Sequence, residues 1–179
     1  MIETTRHIPA AAPVLVTARL HLRAPTAADI PGCTAFFMSE RSRFMGGPLP
    51  EPEAAAEGPA LLSQWETNGF GMFAICLKGS DTAIGLAGPW YPKTHPEPEL
   101  GWNLWQSDDE GHGLAREALV AARGWFFANT TYASAVSYTH PENLRSHHLA
   151  EAVGAVLDPT APCPYPPPVR IYRHLRGQA

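Results

Sequence analysis

Apolar positions along the chain switch between two spacings, and the switches mark out the elements. From Val14 to Arg23, alternate positions are apolar (Val14, Val16, Leu20, Leu22), while Arg19, His21 and Arg23 fall on the opposite face. That alternation predicts one half-buried strand. Asp29 is placed to cap a first helix, with Pro31 in the first turn, where a missing N–H does no harm. Residues 53–68 read as a second helix, broken at Gly58-Pro59 and closed by Gly69. Residues 70–78 and 83–91 flank Gly79-Ser80-Asp81 as a hairpin, and residues 97–105 form a further strand. The strongest helical periodicity runs from His112 to Asn129, with Leu114, Ala118, Leu119, Ala122, Trp125 and Phe126 on one face. A strand over 132–139, a helix over 143–153 closed by Gly154, and a strand over 169–175 complete the chain. The order β-αα-βββ-α-β-α-β predicts an α/β domain on a mixed sheet.

At 179 residues the chain fits one domain, read as residues 14–176 with an N-terminal arm (1–13) and a short tail (177–179). The 19 prolines gather in that arm and in the loops around 48–59, 89–98 and 159–168. Net charge is −4, and only two of the 13 basic residues are Lys, with no basic run. This balance argues against nucleic acid as a partner. Three scattered cysteines without a CxxC speak against a disulfide framework or a zinc site. The Ala-rich stretch 8–16 is interrupted by Pro9 and Pro13 and preceded by Glu3, unlike a signal peptide, and no apolar run is long enough to span a bilayer. The expectation is a cytoplasmic protein with no membrane partner.

The sharpest local signal is Glu110-Gly111-His112-Gly113-Leu114-Ala115, between a strand and the best helix. Glycines there let the backbone approach a ligand, and the free N–H groups of a first helical turn form an anion site suited to a pyrophosphate. A plain strand-to-helix turn has the same composition. A dinucleotide fingerprint would need glycine where Arg116 stands, and no GK[ST] follows for a P-loop. His140, His147 and His148 fit no common zinc spacing and are expected as surface or loop residues, with no metal bound.

Four ordered motifs give the loop a context: Glu99-Leu100-Gly101-Trp102-Asn103-Leu104, then Gly111-x-Gly113-x-Ala115-x-Glu117-Ala118, then Pro141-x-Asn143-x-x-Ser146, then Glu151-x-x-Gly154-Ala155. Together they resemble the GNAT (GCN-related N-acetyltransferase) superfamily, and within it the branch containing the ribosomal-protein N-terminal acetyltransferases. Thr17-Ala18-Arg19-Leu20-x-Leu22-Arg23 and Ile171-Tyr172-Arg173 match that branch too, so the resemblance spans roughly residues 14–176. It implies a mostly antiparallel sheet of about six or seven strands with splayed central strands, flanked by about four helices.

The resemblance also implies acetyl-CoA as donor, lying where strands 97–105 and 132–139 splay, and a primary amine as acceptor. Backbone groups of Asn103, Leu104 and Trp105 would pair with the pantetheine arm, and an N–H near Leu104 would face the oxyanion. The N–H groups of Gly111, His112, Gly113, Leu114 and Ala115 would hold the pyrophosphate, helped by Arg116. Glu99 is the candidate base, with Glu97 as the alternative, and each also reads as a solvated loop glutamate. Ser146 is the candidate donor to the departing thiolate, ahead of Tyr138. Asn143 would bond the pantetheine amide, or simply cap its helix. Trp90 and Trp105 border the expected acceptor mouth, built by residues 44–59, 90–98 and 159–168.

Two departures stand out. The family loop's usual Gln or Arg is represented by Asp108, and Asp108-Asp109-Glu110 is acidic, so these side chains are expected to point to solvent. The segment from Gly101 to Gly111 is also one residue longer than the common pattern. The other hypotheses are a catalytically inactive acyl-CoA-binding module and, more distantly, a dinucleotide-binding enzyme. A homodimer is compatible with the family.

Overall fold

The computed structural model describes residues 12–177, so most of the N-terminal arm and the end of the tail lie outside the described residues. Eight strands form one sheet in the order β1-β2-β3-β4-β5-β6-β8-β7. They are β1 (Leu15–Val16), β2 (Leu20–Arg23), β3 (Phe73–Leu77), β4 (Ala83–Trp90), β5 (Glu99–Leu104), β6 (Ser134–Thr139), β7 (Val156–Leu157) and β8 (Arg170–Leu175). Four α-helices accompany them: α1 (Ile30–Phe37), α2 (Glu51–Asn68), α3 (Leu114–Asn129) and α4 (Leu144–Ala152). All neighbouring strands run antiparallel except β5 and β6, which are parallel and in register only at Glu99 and Val136. Beyond that pair the two strands part. The mixed α/β sheet with splayed central strands is therefore present, with two more short edge strands than the longer elements alone would suggest.

The sheet is covered on both faces. Phe36, Phe37, Ala54 and Leu61 of α1 and α2 pack with Met72, Ala74, Cys76 and Leu86 on one side. Leu114, Ala118 and Ala122 of α3 pack with Leu22, Phe73, Ile75 and Ala87 on the other. Fully burying a side chain such as Leu20 or Leu22 contributes about 1.5–3 kcal/mol, which anchors β2 in the core.

Three local expectations are corrected. The stretch 14–23 is not one strand: the Thr17 N–H donates to the Leu20 carbonyl, the chain reverses, and β1 folds back on β2. Val14 and Val16 are consequently exposed while Leu15 packs inward. Asp29 does not cap α1 with its side chain; its carboxylate accepts from the Thr26 N–H at 2.7 Å and forms a two-bond pair with Arg23. Helix α2 runs unbroken through Gly58-Pro59. A Cβ at Gly58 would meet Ile30 side-chain atoms at 2.8 Å, so this glycine serves the close crossing of α1 and α2 rather than a break.

The junction of the splay is stitched by side chains. The Ser137 hydroxyl donates to the Leu100 carbonyl at 2.6 Å, and the ring Nε2 of fully buried His174 lies 2.9 Å from the same hydroxyl. Because Ser137 already donates, the Nε2–H of His174 is the donor in the second bond, leaving Nδ1 bare and unpartnered. Burial, with a smaller push from the Arg123 charge, lowers the His174 pKa to about 3. The unfolded chain therefore takes up a proton below about pH 6.5 that the folded chain refuses until about pH 3. Stability due to this group is complete above pH 6.5 and falls as pH drops, by at most about 1.4 kcal/mol per pH unit. His174→Leu is expected to flatten the dependence of the urea midpoint on pH between 6.5 and 4.5; an unchanged slope would assign the acid sensitivity elsewhere.

Candidate active site

Strand β5 organises the site because its residues alternate between faces. Glu99, Gly101 and Asn103 look toward α1 and α2, where a cavity of about 670 Å³ opens between those helices, β5 and the splay. Its walls include Phe44, Met45 and Glu57, then Trp90, Thr94 and His95, then Tyr165 and Pro166. These come from the three Pro-rich segments expected to frame an acceptor mouth.

Glu99 sits at the root of the splay with its side chain only 14% exposed. One carboxylate oxygen lies 3.1 Å from His95 Nε2 and accepts from the Tyr165 hydroxyl at 3.5 Å, while that hydroxyl is 3.0 Å from the same ring nitrogen. Burial pushes the Glu99 carboxyl above its usual range, and the His95 and Tyr165 contacts hold it back only in part. A carboxylate in this state binds a proton more readily than an exposed one. Glu97 is differently placed. Both its oxygens are gripped by Arg173, at 2.7 and 2.9 Å, and Arg173 also holds Asp158 at 2.6 Å. Tyr138 borders the cavity but donates its hydroxyl to the Pro162 carbonyl, and burial with the charges of Glu97 and Glu99 pushes its pKa upward.

The edge of β5 that faces the splay is only partly free. The Trp105 N–H donates to Ile84, and the register sets Asn103 opposite Leu86, so the backbones of Asn103 and Trp105 serve the ladder to β4. The alternate residues Trp102 and Leu104 turn theirs toward the gap. Of the expected trio of Asn103, Leu104 and Trp105, only Leu104 turns its backbone to the gap, and Arg41 Nη2 already donates to its carbonyl at 3.0 Å. The Trp105 ring is also not at the cavity: it is buried against Gly32, where a Cβ would meet it at 2.6 Å. Trp90 does line the cavity.

The glycine loop leads into α3 with Gly111 at φ +78° and Gly113 at φ +76°, both left-handed. Gly113 caps the helix without a side chain, and its carbonyl takes the Glu117 N–H. The N–H groups of Leu114, Ala115 and Arg116 therefore have no partner in the preceding turn and form an electropositive helix start. Glu117 anchors this end. Its carboxylate accepts from the Thr17 hydroxyl, the Arg19 N–H and Arg19 Nε at 2.6–2.8 Å, which lowers its pKa to about 2. Arg19 then reaches the His112 carbonyl at 2.8 Å, bracing the loop. The Arg116 side chain leaves the loop and donates to the Ala152 carbonyl at the end of α4.

Asp108 is exposed, but Glu110 does not point to solvent as expected. It is half-buried, with the Arg41 and Arg145 guanidiniums converging on it and bonding one oxygen each. Across the gap, Asn143 caps α4 by accepting from the Ser146 N–H at 3.3 Å, and Ser146 lines the cavity. His140 stacks on Phe44 and His148 is exposed. His147, however, is buried, its Nε2 3.0 Å from the His140 carbonyl, contrary to the surface position expected. Among the described residues no group of three or more His, Cys, Asp or Glu is placed to hold a metal, and no helix is long and apolar enough to cross a membrane.

His95, Tyr165, Arg41 and Glu57 were not singled out by sequence reasoning. They lie in irregular or helical segments outside the motifs; the Pro-rich framing of 44–59, 90–98 and 159–168 hinted at Glu57, His95 and Tyr165, and nothing hinted at Arg41.

Residues 19–156 match the acetyltransferase (GNAT) domain family. The chain belongs to that family. A crystal structure of an acetyltransferase from Agrobacterium tumefaciens is 38% identical over 92% of this chain and 95% of its own, with a TM-score of 0.86. Two more distant structures share the fold. The ribosomal L7/L12 α-N-protein acetyltransferase RimL in complex with coenzyme A is 14% identical over 93% of this chain and 100% of its own, with a TM-score of 0.72. The ribosomal-protein-S5-alanine acetyltransferase from Vibrio fischeri is 17% identical over 92% and 97%, with a TM-score of 0.67.

Proposed function

We propose that this GNAT protein transfers the acetyl group of acetyl-CoA to a primary amine by direct attack on the thioester. The single observation that carries the reading is Glu99, a nearly buried carboxylate of raised pKa at the root of the splay and at the wall of a cavity. The pyrophosphate rests on the N–H groups of Leu114, Ala115 and Arg116, and pantetheine enters the splay along the gap-facing backbone of Trp102 and Leu104. The acceptor amine approaches from the cavity. Its nitrogen lone pair attacks the thioester carbon, Glu99 takes the proton from the attacking nitrogen, and the C–S bond breaks with the departing thiolate stabilised by a hydrogen bond donated by the Ser146 hydroxyl. The Leu104 N–H is placed on the edge where an oxyanion would form. Arg41 and Arg145 neutralise Glu110, which removes the repulsion an acidic residue would otherwise exert on a diphosphate. This neutralisation weighs against an inactive module.

Calorimetric titration with acetyl-CoA, followed by a free-thiol assay over a panel of primary amines, tests the reading. Acetyl-CoA binding with thiol release dependent on an amine supports it; binding with no turnover on any amine would return the protein to a binding module. Within the site, Ser146→Ala is expected to lower kcat about ten- to hundredfold, because one hydrogen bond to a developing charge is worth roughly 1.5–3 kcal/mol. KM should stay nearly unchanged, since that charge exists only in the transition state. Asn143→Ala removes the cap of α4 and is expected to lower stability by about 1 kcal/mol and to weaken acetyl-CoA binding. Steady-state kinetics and thermal melts of both variants check the contrast.

A further inference from the structure

The cavity carries more polar chemistry than the transfer step uses. Two carboxylates, Glu57 and Glu99, line it, and neither Lys nor Arg does. Glu57 belongs to the inward stripe of α2 with Ala54, Gly58 and Leu61, and it is half-buried. Among the described residues its carboxylate has no hydrogen-bond or ion-pair partner. Burial alone raises its pKa, and its charge is felt by the Cys33 thiol at the floor, which is pushed up to about 12 chiefly by its own burial. Glu57 stands on α2 and Glu99 on β5, so the two carboxylates reach the cavity from different elements.

A second, independent group points the same way. Asn103 is 93% buried, borders the cavity, and has an Oδ1 with no partner. It stands four residues from Glu99 on the same face of β5, a separation of about 13 Å along the strand. Between these acceptors the walls are apolar: Phe37, Leu61, Met72, Leu86 and Trp90. A lining with two separated carboxylates, an unmatched carbonyl oxygen and no cation is complementary to a ligand rich in N–H donors with an apolar body.

We propose that Glu57 is a specificity-determining residue that binds the distal cationic nitrogen of an apolar diamine, whose near amine is acetylated beside Glu99, with Asn103 Oδ1 accepting an N–H of the same substrate. This assignment rests on the acetyl-transfer reading and adds the substrate class. An aliphatic monoamine leaves Glu57 buried without a partner, so an apolar tail in that position is penalised where an ammonium is not.

The test compares 1,8-diaminooctane with octylamine in the thiol-release assay, and titrates 1,8-diaminooctane calorimetrically into the protein without acetyl-CoA. Wild type is expected to favour the diamine by tenfold or more in kcat/KM. Glu57→Gln, nearly isosteric, is expected to abolish that preference, losing diamine turnover and gaining octylamine turnover, while acetyl-CoA affinity stays within about twofold. Calorimetric binding of the diamine should weaken by a similar factor in Glu57→Gln. Equal use of the two amines by wild type, a preference that survives in Glu57→Gln, or diamine binding untouched by the substitution would each overturn the subsite. Absence of acetyl-CoA binding would instead strike the transfer reading, and the calorimetric arm would still decide whether Glu57 captures a diamine.

Discussion

Glu99→Gln is expected to lower kcat by about 10²–10⁴-fold, the usual range for loss of a general base, with little change in acetyl-CoA affinity. The amide keeps the shape of the carboxylate and can still meet His95 and Tyr165, so the cavity should persist, while the capacity to take a proton is lost. In wild type the acid limb of kcat/KM should lie above the ordinary carboxylate range, because burial raises the Glu99 pKa and activity requires the ionised form. The contact with His95 lowers that pKa, so His95→Ala is expected to move the limb to still higher pH. Glu97→Gln provides the contrast. It breaks the Arg173 pair and should appear in the melting temperature rather than in the acid limb. A fall in kcat below threefold for Glu99→Gln, measured beneath the pKa of the amine, would take the role of base from this residue.

Gly113→Val is expected to raise the acetyl-CoA dissociation constant by at least tenfold, equivalent to about 1.4 kcal/mol. The reason is backbone geometry more than space. Gly113 sits at φ +76°, and a Cβ there would meet only the Arg19 guanidinium at 3.6 Å. An L-residue in the left-handed region costs roughly 1–2 kcal/mol, and β-branching adds to that. The loop is expected to relax away from this geometry, turning the N–H groups of Leu114 and Ala115 off their common target. Gly113→Ala should do the same to a smaller extent. Calorimetry on folded variants checks the order, and an unchanged constant for Val would remove the pyrophosphate from this helix start.

What was readable in the sequence was whatever depends on near neighbours. The inward face of α3, the hairpin around Gly79, the left-handed glycines before α3 and the Asn143 cap are set by side chains within a few residues of one another. Their periodicity and turn chemistry are visible in one dimension. The resemblance supplied the order of motifs and drew attention to Glu99. Where local signals competed with distant packing, the sequence reading failed. Gly58-Pro59 looks like a break, yet α2 stays continuous because Gly58 admits Ile30 of α1. Glu110 looks like part of a solvated acidic run, yet Arg41 and Arg145, 69 and 35 residues away, draw it inward.

By itself, then, the sequence determined the order of the longer elements and the left-handed glycines before α3, since these follow from side-chain period and backbone freedom, while the resemblance drew out the acidic residue at the head of β5. Only the tertiary structure decided what surrounds that acid. His95 and Tyr165 reach it from two Pro-rich loops, and Glu57 reaches the same cavity from helix α2. Irregular loops have no period that announces where a side chain points, and a carboxylate's proton affinity depends on burial and on contacts made across the fold. Both come into being only when β5 and β6 part and α1 and α2 close over the gap.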